Sequence, residues 1–289
     1  MIFCLYTDYG ALNSKPVFEV FAKSLTDAGH KVIYNEPYRV MDHYDNYDVA
    51  VIWSVLWNGR MAKNKQIWDI NRSLGKPVIV LEVGGIKRGT TWKVGLNGIN
   101  RDAYFGNMGN DSSRANLLGL ELKPWRTDGE YILITGQHNK SLQWEQMPVM
   151  HNWVSDTIKE IRLHTDRSII FRPHPRCPLP NIEDEFKNVY YQRPQKVEGS
   201  YDDYSIDYSN VYAIVSWSSN PGIHSILEGV PAFVGPLSLA YDVANHDLAN
   251  INNPVMPDRQ QWLNDYAHTE WTVEEISQGI PIKRLTDRL

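Results

Sequence analysis

Short apolar runs alternate with amphipathic helical stretches along most of this chain. The runs at Ile2–Tyr6, Tyr47–Ser54 and Pro77–Leu81 are apolar through their middles, as buried parallel strands are. The stretch Lys15–Ala28 repeats apolar residues at helical spacing, and Gly29 follows it as a natural helix end. Strands that alternate with helices over short links predict βαβ units and a mostly parallel sheet. The sequence therefore predicts an α/β protein.

The pattern restarts in the second half of the chain, after a link at 124–130. A length of 289 residues is enough for two separate hydrophobic cores. We predict two Rossmann-like doubly wound domains that face a cleft, residues 1–125 and 126–289, with a C-terminal tail able to pack back on the first. The stretch 90–119 lacks periodicity, so we expect irregular structure there. Further strands are predicted at 31–35, 131–135, 168–171, 189–192, 211–216 and 231–234, and further helices at 62–74, 148–164, 221–229, 258–267 and 272–279.

One predicted strand runs directly into alternating cations and prolines. The residues from its end onward read Arg172-Pro173-His174-Pro175-Arg176. The prolines cannot continue a central strand, so the strand must end before them. Its cations then lie at the carboxyl end, where open α/β sheets bind ligands. Two fixed cations and an imidazole predict an anionic ligand, with phosphate or pyrophosphate as the first choice.

A second predicted strand ends in small hydroxyl residues at the start of a helix. Ser216 is followed by Trp-Ser218-Ser219, and Pro221 falls in the first helical turn. A helix N-terminus carries about half a positive charge and can bind phosphate, although these residues can also serve only as caps. Glu228, at the other end of the helix, can accept both hydroxyls of a ribose or can simply face solvent.

The first half offers two carboxylates that follow predicted strands. Asp8 and Glu82 are both candidates for a general base that takes a proton from an acceptor hydroxyl. Asp8 can instead stabilise its own turn. Glu82 is favoured because it precedes Gly84-Gly85, where backbone can approach a ligand closely. Lys87 and Arg88 follow and can contact an acidic acceptor or face water.

These residues resemble the motifs of GT-B glycosyltransferases related to bacterial capsule and Kdo-type transferases and to GT-B sialyltransferases. In those families a His-Pro and a Ser-Ser motif contact the nucleotide phosphates, which implies this role for His174-Pro175 and Ser218-Ser219. An acidic-acidic-Gly motif supplies the base, and Leu81–Arg88 looks like a degraded form with Val83 in the second acidic position. The expected site residues are Glu82 or Asp8 as catalytic base; Gln137, Arg172, His174, Arg176, Ser216, Ser218, Ser219 and Glu228 for the donor; and Lys87, Arg88 and Trp92 for the acceptor.

The resemblance implies an enzyme that uses a nucleotide-sugar as co-substrate and needs no cofactor or metal. The chain also resembles small phage-encoded GT-B enzymes that glycosylate hydroxymethylated pyrimidines in DNA. Residues 55–127 hold twelve Lys or Arg against five Asp or Glu, or +7, within a chain of net charge −5. Such a basic half can neutralise DNA phosphates, and aromatics such as Trp57, Trp92 and Tyr104 can stack on an extruded base. Double-stranded DNA is therefore the first acceptor prediction, although the charges can equally be solvated helix faces and the tryptophans core.

Other functions share this architecture and stay open from the sequence. A capsule or lipopolysaccharide glycan is the alternative acceptor, and a sugar-nucleotide 2-epimerase or a non-catalytic nucleotide-binding protein is an alternative class. The spacing of His138, His151, His164, His224 and His246 is not that of metal ligands, and two cysteines form no disulfide framework. Because the N-terminus enters a strand directly and no apolar run is long enough for a membrane span, we expect a cytoplasmic protein.

Overall fold

The computed structural model describes residues 1–35, 44–179, 181–200 and 202–289. It divides into two compact units, unit 1 (Met1–Asn110 and Tyr266–Leu289) and unit 2 (Asp111–Asp265). The strands are β1 Ile2–Leu5, β2 Lys31–Tyr34, β3 Val49–Trp53, β4 Val78–Val83, β5 Thr91–Leu96, β6 Tyr131–Thr135, β7 Ser168–Arg172, β8 Val189–Tyr191, β9 Gln195–Lys196, β10 Tyr204–Ser205, β11 Val211–Ser216, β12 Ala232–Val234 and β13 Glu270–Thr272. The α-helices are α1 Lys15–Asp27, α2 Asn64–Ser73, α3 Ser113–Leu117, α4 Met150–Arg162, α5 Asn220–Leu227, α6 Gln260–Tyr266, α7 Val273–Ser277 and α8 Ile280–Leu285.

Unit 1 is built on a mixed sheet of order β13-β5-β4-β3-β1-β2. Strands β2, β1, β3 and β4 are parallel, whereas β5 runs antiparallel to β4 and β13 antiparallel to β5. Helix α1 buries Val17, Phe21 and Leu25 in the core of this unit. Its spacing explains this, because residues three to four positions apart share one face of a helix.

The structure corrects two predictions in unit 1. The part of the stretch 90–119 that lies in unit 1 is not wholly irregular, because it contains the fully buried strand β5. Strand β4 continues to Val83 instead of ending at Leu81, so Glu82 lies on the strand and does not follow it. Both differences have one cause: β4 and β5 form an antiparallel pair through Val83 and Trp92, and this pairing extends the strand.

Unit 2 is built on a parallel sheet of order β12-β11-β6-β7-β8, with a separate antiparallel pair of β9 and β10. Strand β7 ends at Arg172, as the following prolines require. The connection from β6 leads to β7 on one side, and the connection from β11 leads to β12 on the other. Adjacent strands whose connections leave in opposite directions define a topological switch point, where α/β sheets bind ligands.

Candidate functional site

Three loops follow neighbouring strands of the unit 2 sheet at their carboxyl ends. They are residues 136–139 after β6, 173–176 after β7 and 217–219 after β11, and we call them together the carboxyl edge. The first two are tied together because the N–H of Gly136 donates to the carbonyl of Arg172 at 2.8 Å. A side chain at Gly136 would place Cβ 3.1 Å from the amide nitrogen of His174. A glycine at this position therefore allows the two loops to lie close together.

Gln137 joins the first loop to the third. Its Oε1 accepts from both the backbone N–H and the hydroxyl of Ser218, at 3.1 and 3.0 Å, and its Nε2 donates to Ser141 Oγ at 3.2 Å. All three residues are buried. The structure therefore brings Gln137 and Ser218 together. Their polar atoms are hydrogen-bonded to groups within the carboxyl edge.

The hydroxyl of Ser219 lies among other hydroxyls at the start of α5. Its Oγ is 2.8 Å from Ser216 Oγ and 3.4 Å from Thr135 Oγ1. Ser219 occupies the N-cap position, yet within the described residues its side chain makes no capping hydrogen bond. Pro221 has no N–H and the N–H of Gly222 donates to the carbonyl of Ser219 at 3.1 Å, so this end of α5 contributes chiefly the positive potential of a helix N-terminus.

Arg172 brings a buried charge to the same edge. Its side chain is 5% exposed, and Nη1 has no hydrogen-bond partner among the residues that the structure describes. Burial lowers the pKa of Arg172, and the electrostatic effect of Tyr208 raises it. Arg172 is the cross-strand partner of Thr135, whose Oγ1 lies 3.4 Å from Ser219 Oγ at the start of α5. A guanidinium stays charged in proteins, so this donor is cationic.

Two histidines face each other beside these groups. The rings of His138 and His174 are 5.1 Å apart in an edge-to-face arrangement. Nδ1 of His138 accepts from the N–H of Lys140, and Nδ1 of His174 accepts from the N–H of Arg176, both at 3.1 Å. In the neutral rings the proton must then sit on Nε2, which becomes a donor.

His138 is a site residue that the sequence reasoning missed. Its Nε2 is buried and, over the described ranges, has no hydrogen-bond partner. Burial lowers the pKa of His138, and nearby Arg176 and Lys140 add to this effect. The only sequence signal was its place next to Gln137 in the loop after β6.

Arg176 and Glu228 are both held by ion pairs. Arg176 Nη2 lies 2.6 Å from Asp202 Oδ2, and Lys123 Nζ lies 2.5 Å from Glu228 Oε2. Glu228 is the C-cap of α5, where the helix dipole disfavours a carboxylate, and Lys123 offsets that effect. Glu228 comes nine residues after Ser219, which corresponds to a helical rise of about 13 Å.

In unit 1 the two candidate bases differ in environment. Asp8 is exposed within a short 3₁₀ turn, whereas Glu82 is partly buried on β4. Burial raises the pKa of Glu82, and hydrogen bonds from Ser54 and the Val83 N–H, together with Arg88 and Lys93, oppose that rise. Glu82 thus has the desolvated, cation-flanked setting that is typical of a tuned carboxylate.

The loop after β4 is occupied by a carboxylate of the chain itself. Glu270 accepts at Oε1 from the N–H of Gly85 (2.7 Å), and at Oε2 from the N–H of Ile86 (2.8 Å) and the hydroxyl of Thr91 (2.8 Å). A Cβ at Gly84 would lie 2.3 Å from Glu270 Oε2. The glycines do permit a close approach, and the group that approaches is Glu270.

The predicted acceptor residues are not alike in exposure. Lys87 is exposed and Arg88 is half-buried. Trp92 is 6% exposed and packs against Trp53 in the core, with ring centroids 5.8 Å apart. Trp57 is also buried and packs against Trp68. The structure places both tryptophans in the core, which was the alternative interpretation of these residues.

Neither a metal site nor a membrane helix is found in the described parts of the chain. Within them, no cluster of three or more His, Cys, Asp or Glu side chains is arranged to hold a metal ion. Of the helices described, none is both long and apolar enough to cross a membrane.

Comparison with solved structures identifies the fold. Thermosulfurimonas dismutans KpsC, a beta Kdo 2,7 transferase, matches with a TM-score of 0.58 at 17% sequence identity, over 98% of this chain and 100% of that one. The beta Kdo 2,4 transferase of the same organism's KpsC matches at TM-score 0.47 and 11% identity over 97% and 98% of the two chains, and S. aureus MnaA bound to UDP at 0.35 and 9% over 100% and 97%. No protein-family model matches the chain, and no curated protein sequence does. The first match shows that this chain has the GT-B glycosyltransferase fold of two Rossmann-like α/β domains, which confirms the fold prediction.

Proposed function

We propose that the chain transfers a sugar from a nucleotide-sugar donor to an acceptor hydroxyl, and that the carboxyl edge of unit 2 binds the donor phosphates. One observation carries this proposal: Arg172 Nη1 and His138 Nε2 are buried donors without a partner in the described structure, at the end of β7 and in the loop after β6. A buried polar group without a partner costs on the order of 1–3 kcal/mol, and more when charged. A phosphate that accepts from both donors removes this cost.

The same groups suit the chemistry of the donor. When the bond to the sugar breaks, negative charge grows on the leaving phosphate. Arg172, the Nε2–H of the two histidines and the N-terminal turn of α5 would stabilise that charge. Gln137 and Ser218 fix the loops that hold these groups, because they bond to each other at 3.0 and 3.1 Å. Preorganised donors of this kind act most strongly where water is excluded.

The general base on the acceptor side is proposed to be Glu82, with Asp8 as the alternative. Glu82 combines burial with nearby cations, whereas Asp8 is exposed. A base must be deprotonated to accept the hydroxyl proton, so a carboxylate held as an anion near neutral pH is suited to the role.

For the acceptor we propose a glycan hydroxyl. The solved neighbour of the same fold is a beta Kdo 2,7 transferase, which makes a saccharide acceptor the first choice. The residues behind the DNA prediction give it no support here, because Trp57 and Trp92 are core residues and two of the basic side chains, Lys93 and Arg114, are buried. Sugar transfer to double-stranded DNA is instead one of the outcomes that the following test distinguishes.

The test is a turnover assay with a panel of nucleotide-sugars, run with capsule-type oligosaccharides, with duplex DNA and without acceptor. The variant Arg172→Met removes the buried cation, and Arg167→Met is its matched control. Arg167 immediately precedes β7, whereas Arg172 ends it, and Arg167 stacks on Tyr212 at 3.8 Å. We expect transfer to an oligosaccharide that Arg172→Met abolishes and Arg167→Met preserves.

Each other outcome points to a named alternative. Conversion of the donor without acceptor would identify a 2-epimerase. A salt-sensitive gel shift with sugar transfer to DNA would restore the DNA acceptor. Nucleotide binding without transfer or slow donor hydrolysis would identify a non-catalytic protein. Equal activity of Arg172→Met and the wild type would contradict the site assignment.

A further inference from the structure

Three charged side chains form a row across the unit 1 sheet. Lys93 on β5 is the direct cross-strand partner of Glu82 on β4 and of Glu270 on β13. Directly opposed residues project from the same face of a sheet, with Cβ atoms about 4.5–5.5 Å apart. The row therefore reads anion, cation, anion over three adjacent strands.

Two of the three residues in the row are buried, so their charges depend on the charged groups around them. Lys93 is 3% exposed and Glu270 is 0% exposed. Burial lowers the pKa of Lys93, whereas Glu270 and then Glu82 raise it. Lys93 also donates to the carbonyl of Ile99 at 3.3 Å. Burying an isolated charge costs much free energy, so buried charges in proteins are normally paired with an opposite charge.

Two further titratable groups interact electrostatically with the row. Arg88, in the loop after β4, acts electrostatically on both Glu82 and Lys93. Burial, followed by the charge of Glu270, raises the pKa of the buried Tyr266 phenol. At the far end, Glu82 also has the Ser54 hydroxyl and the Val83 N–H as hydrogen-bond donors.

The two ends of the row differ in what they do. Glu270 accepts hydrogen bonds from two backbone N–H groups and the hydroxyl of Thr91. Glu82 is only partly buried and lies in the last two residues of β4, at the carboxyl end of the parallel strands. Lys93 in the middle is therefore shared between a fixed structural carboxylate and one that solvent can reach.

We propose that Lys93 and Glu270 are positioning residues that hold Glu82 in place as an anion. The inference rests on the proposed function only where it makes Glu82 the base. Glu270 fixes Lys93, and Lys93 favours the ionised carboxylate of Glu82. Because Glu270 lies after α6, on the segment that returns to unit 1, residues remote in sequence set the state of the candidate base.

The test separates the state of Glu82 from catalysis by measuring both. The carboxyl group of Glu82 is titrated by carbon-13 NMR, with the signal assigned by Glu82→Gln, and the transfer rate is measured across the same pH range. In Lys93→Met we expect Glu82 to titrate at higher pH than in the wild type, because the neighbouring cation is gone. If Glu82 is the base, the rate at pH 5.5 should fall about tenfold more than the rate at pH 8.

Two more variants keep the test decisive. Lys65→Met removes an exposed lysine of unit 1 that pairs with Asp69 at 2.9 Å, and should leave the titration unchanged. If Lys93→Met does not fold, Lys93→Met/Glu270→Gln removes both charges of the buried pair. Glu82 should then titrate above the wild-type value, and below that of the single variant where both fold, since Lys93 is the nearer neighbour.

The outcomes divide the two hypotheses. An unchanged Glu82 titration in both Lys93 variants would overturn the proposed row. A shifted titration with an unshifted pH–rate profile would support the row and exclude Glu82 as the base, which contradicts that part of the proposed function. A shift of both supports both.

Discussion

In unit 2, the loop after β6 carries a histidine whose buried Nε2 has no hydrogen-bond partner in the described structure. In unit 1, the loop after β4 gives two backbone N–H groups to Glu270. Both loops follow parallel strands, and both were predicted from glycines and polar residues near a strand end. The difference indicates that the donors of such a loop are available to a ligand only if no group of the chain already accepts their hydrogen bonds.

The comparison predicts different consequences for charges in the two units. The buried carboxylate of Glu270 in unit 1 accepts hydrogen bonds from the chain itself, so its removal should cost stability. We propose that the buried donors of the carboxyl edge bind an anion, so their removal should weaken binding and leave stability unchanged or higher, which is a common trade-off at functional sites.

The largest effect is expected for Glu270→Gln. The amide places an NH₂ donor against the N–H and hydroxyl donors of the loop, and it removes the anion that acts most strongly on Lys93. We expect the free energy of unfolding to fall by about 3–5 kcal/mol, measured by chemical denaturation. Glu228→Gln is the control, because its partly exposed pair with Lys123 should be worth less than about 1 kcal/mol. Equal losses in the two variants would show that the buried carboxylate is not structural.

Arg172→Met should show the reverse pattern. We expect the Kd for a nucleotide-sugar or its nucleotide product to rise about 100-fold, since a charge-assisted hydrogen bond contributes roughly 1.5–3 kcal/mol. The free energy of unfolding should stay constant or rise, because a buried cation is removed. Calorimetric titration and denaturation on the same sample check both parts. A stability loss as large as that of Glu270→Gln would make Arg172 a structural residue.

Ser219→Ala tests the start of α5 at smaller scale. Its hydroxyl lies 2.8 Å from Ser216 Oγ and does not cap the helix within the described structure, so we expect about tenfold weaker nucleotide binding and little change in stability. The matched control is Ser225→Ala on the same helix, where the hydroxyl donates to the Gly222 carbonyl at 2.9 Å. That variant should keep the affinity; an affinity loss confined to Ser225→Ala would place the ligand elsewhere.

The smallest effect concerns pH. Burial lowers the pKa of His138 from its ordinary value of 6.5, so the unfolded chain binds more protons at this residue than the folded one. The contribution to stability is therefore present above pH 6.5 and is lost as pH falls below it. The wild type should lose more unfolding free energy than His138→Gln between pH 7.5 and 5.5. His151, whose pKa is raised by Glu185, acts in the opposite direction but is common to both proteins. Parallel pH profiles would contradict a neutral, buried His138.

Local signals explain how much of the fold the sequence predicted. The strands at 131–135 and 211–216 match β6 and β11 residue for residue, and the prolines placed the end of β7 to within one residue. Strand β13 was missed, because its pairing with β5 joins segments almost 180 residues apart. A strand made by a distant partner leaves no periodic signal in a short window.

The residues of the candidate sites also divide into those with a local sequence signal and those without one. Gln137, Ser218 and Ser219 could be predicted because each lies in a loop directly after a strand. Glu270 could not be, since nothing near it in the sequence marks it as a partner of Gly85 and Ile86. His138 was missed for a different reason: a histidine in a loop becomes notable only when its burial and the absence of a partner in the described structure are known.

The most direct test of the central claim is a crystal structure with a nucleotide-sugar or its nucleotide product bound. We predict a phosphate group with oxygens within about 3.2 Å of Arg172 Nη1 and His138 Nε2, at the first turn of α5. The loop after β4 should keep its hydrogen bonds to Glu270. A phosphate bound away from Arg172 and His138, or one that displaces Glu270 from Gly85 and Ile86, would contradict the assignment.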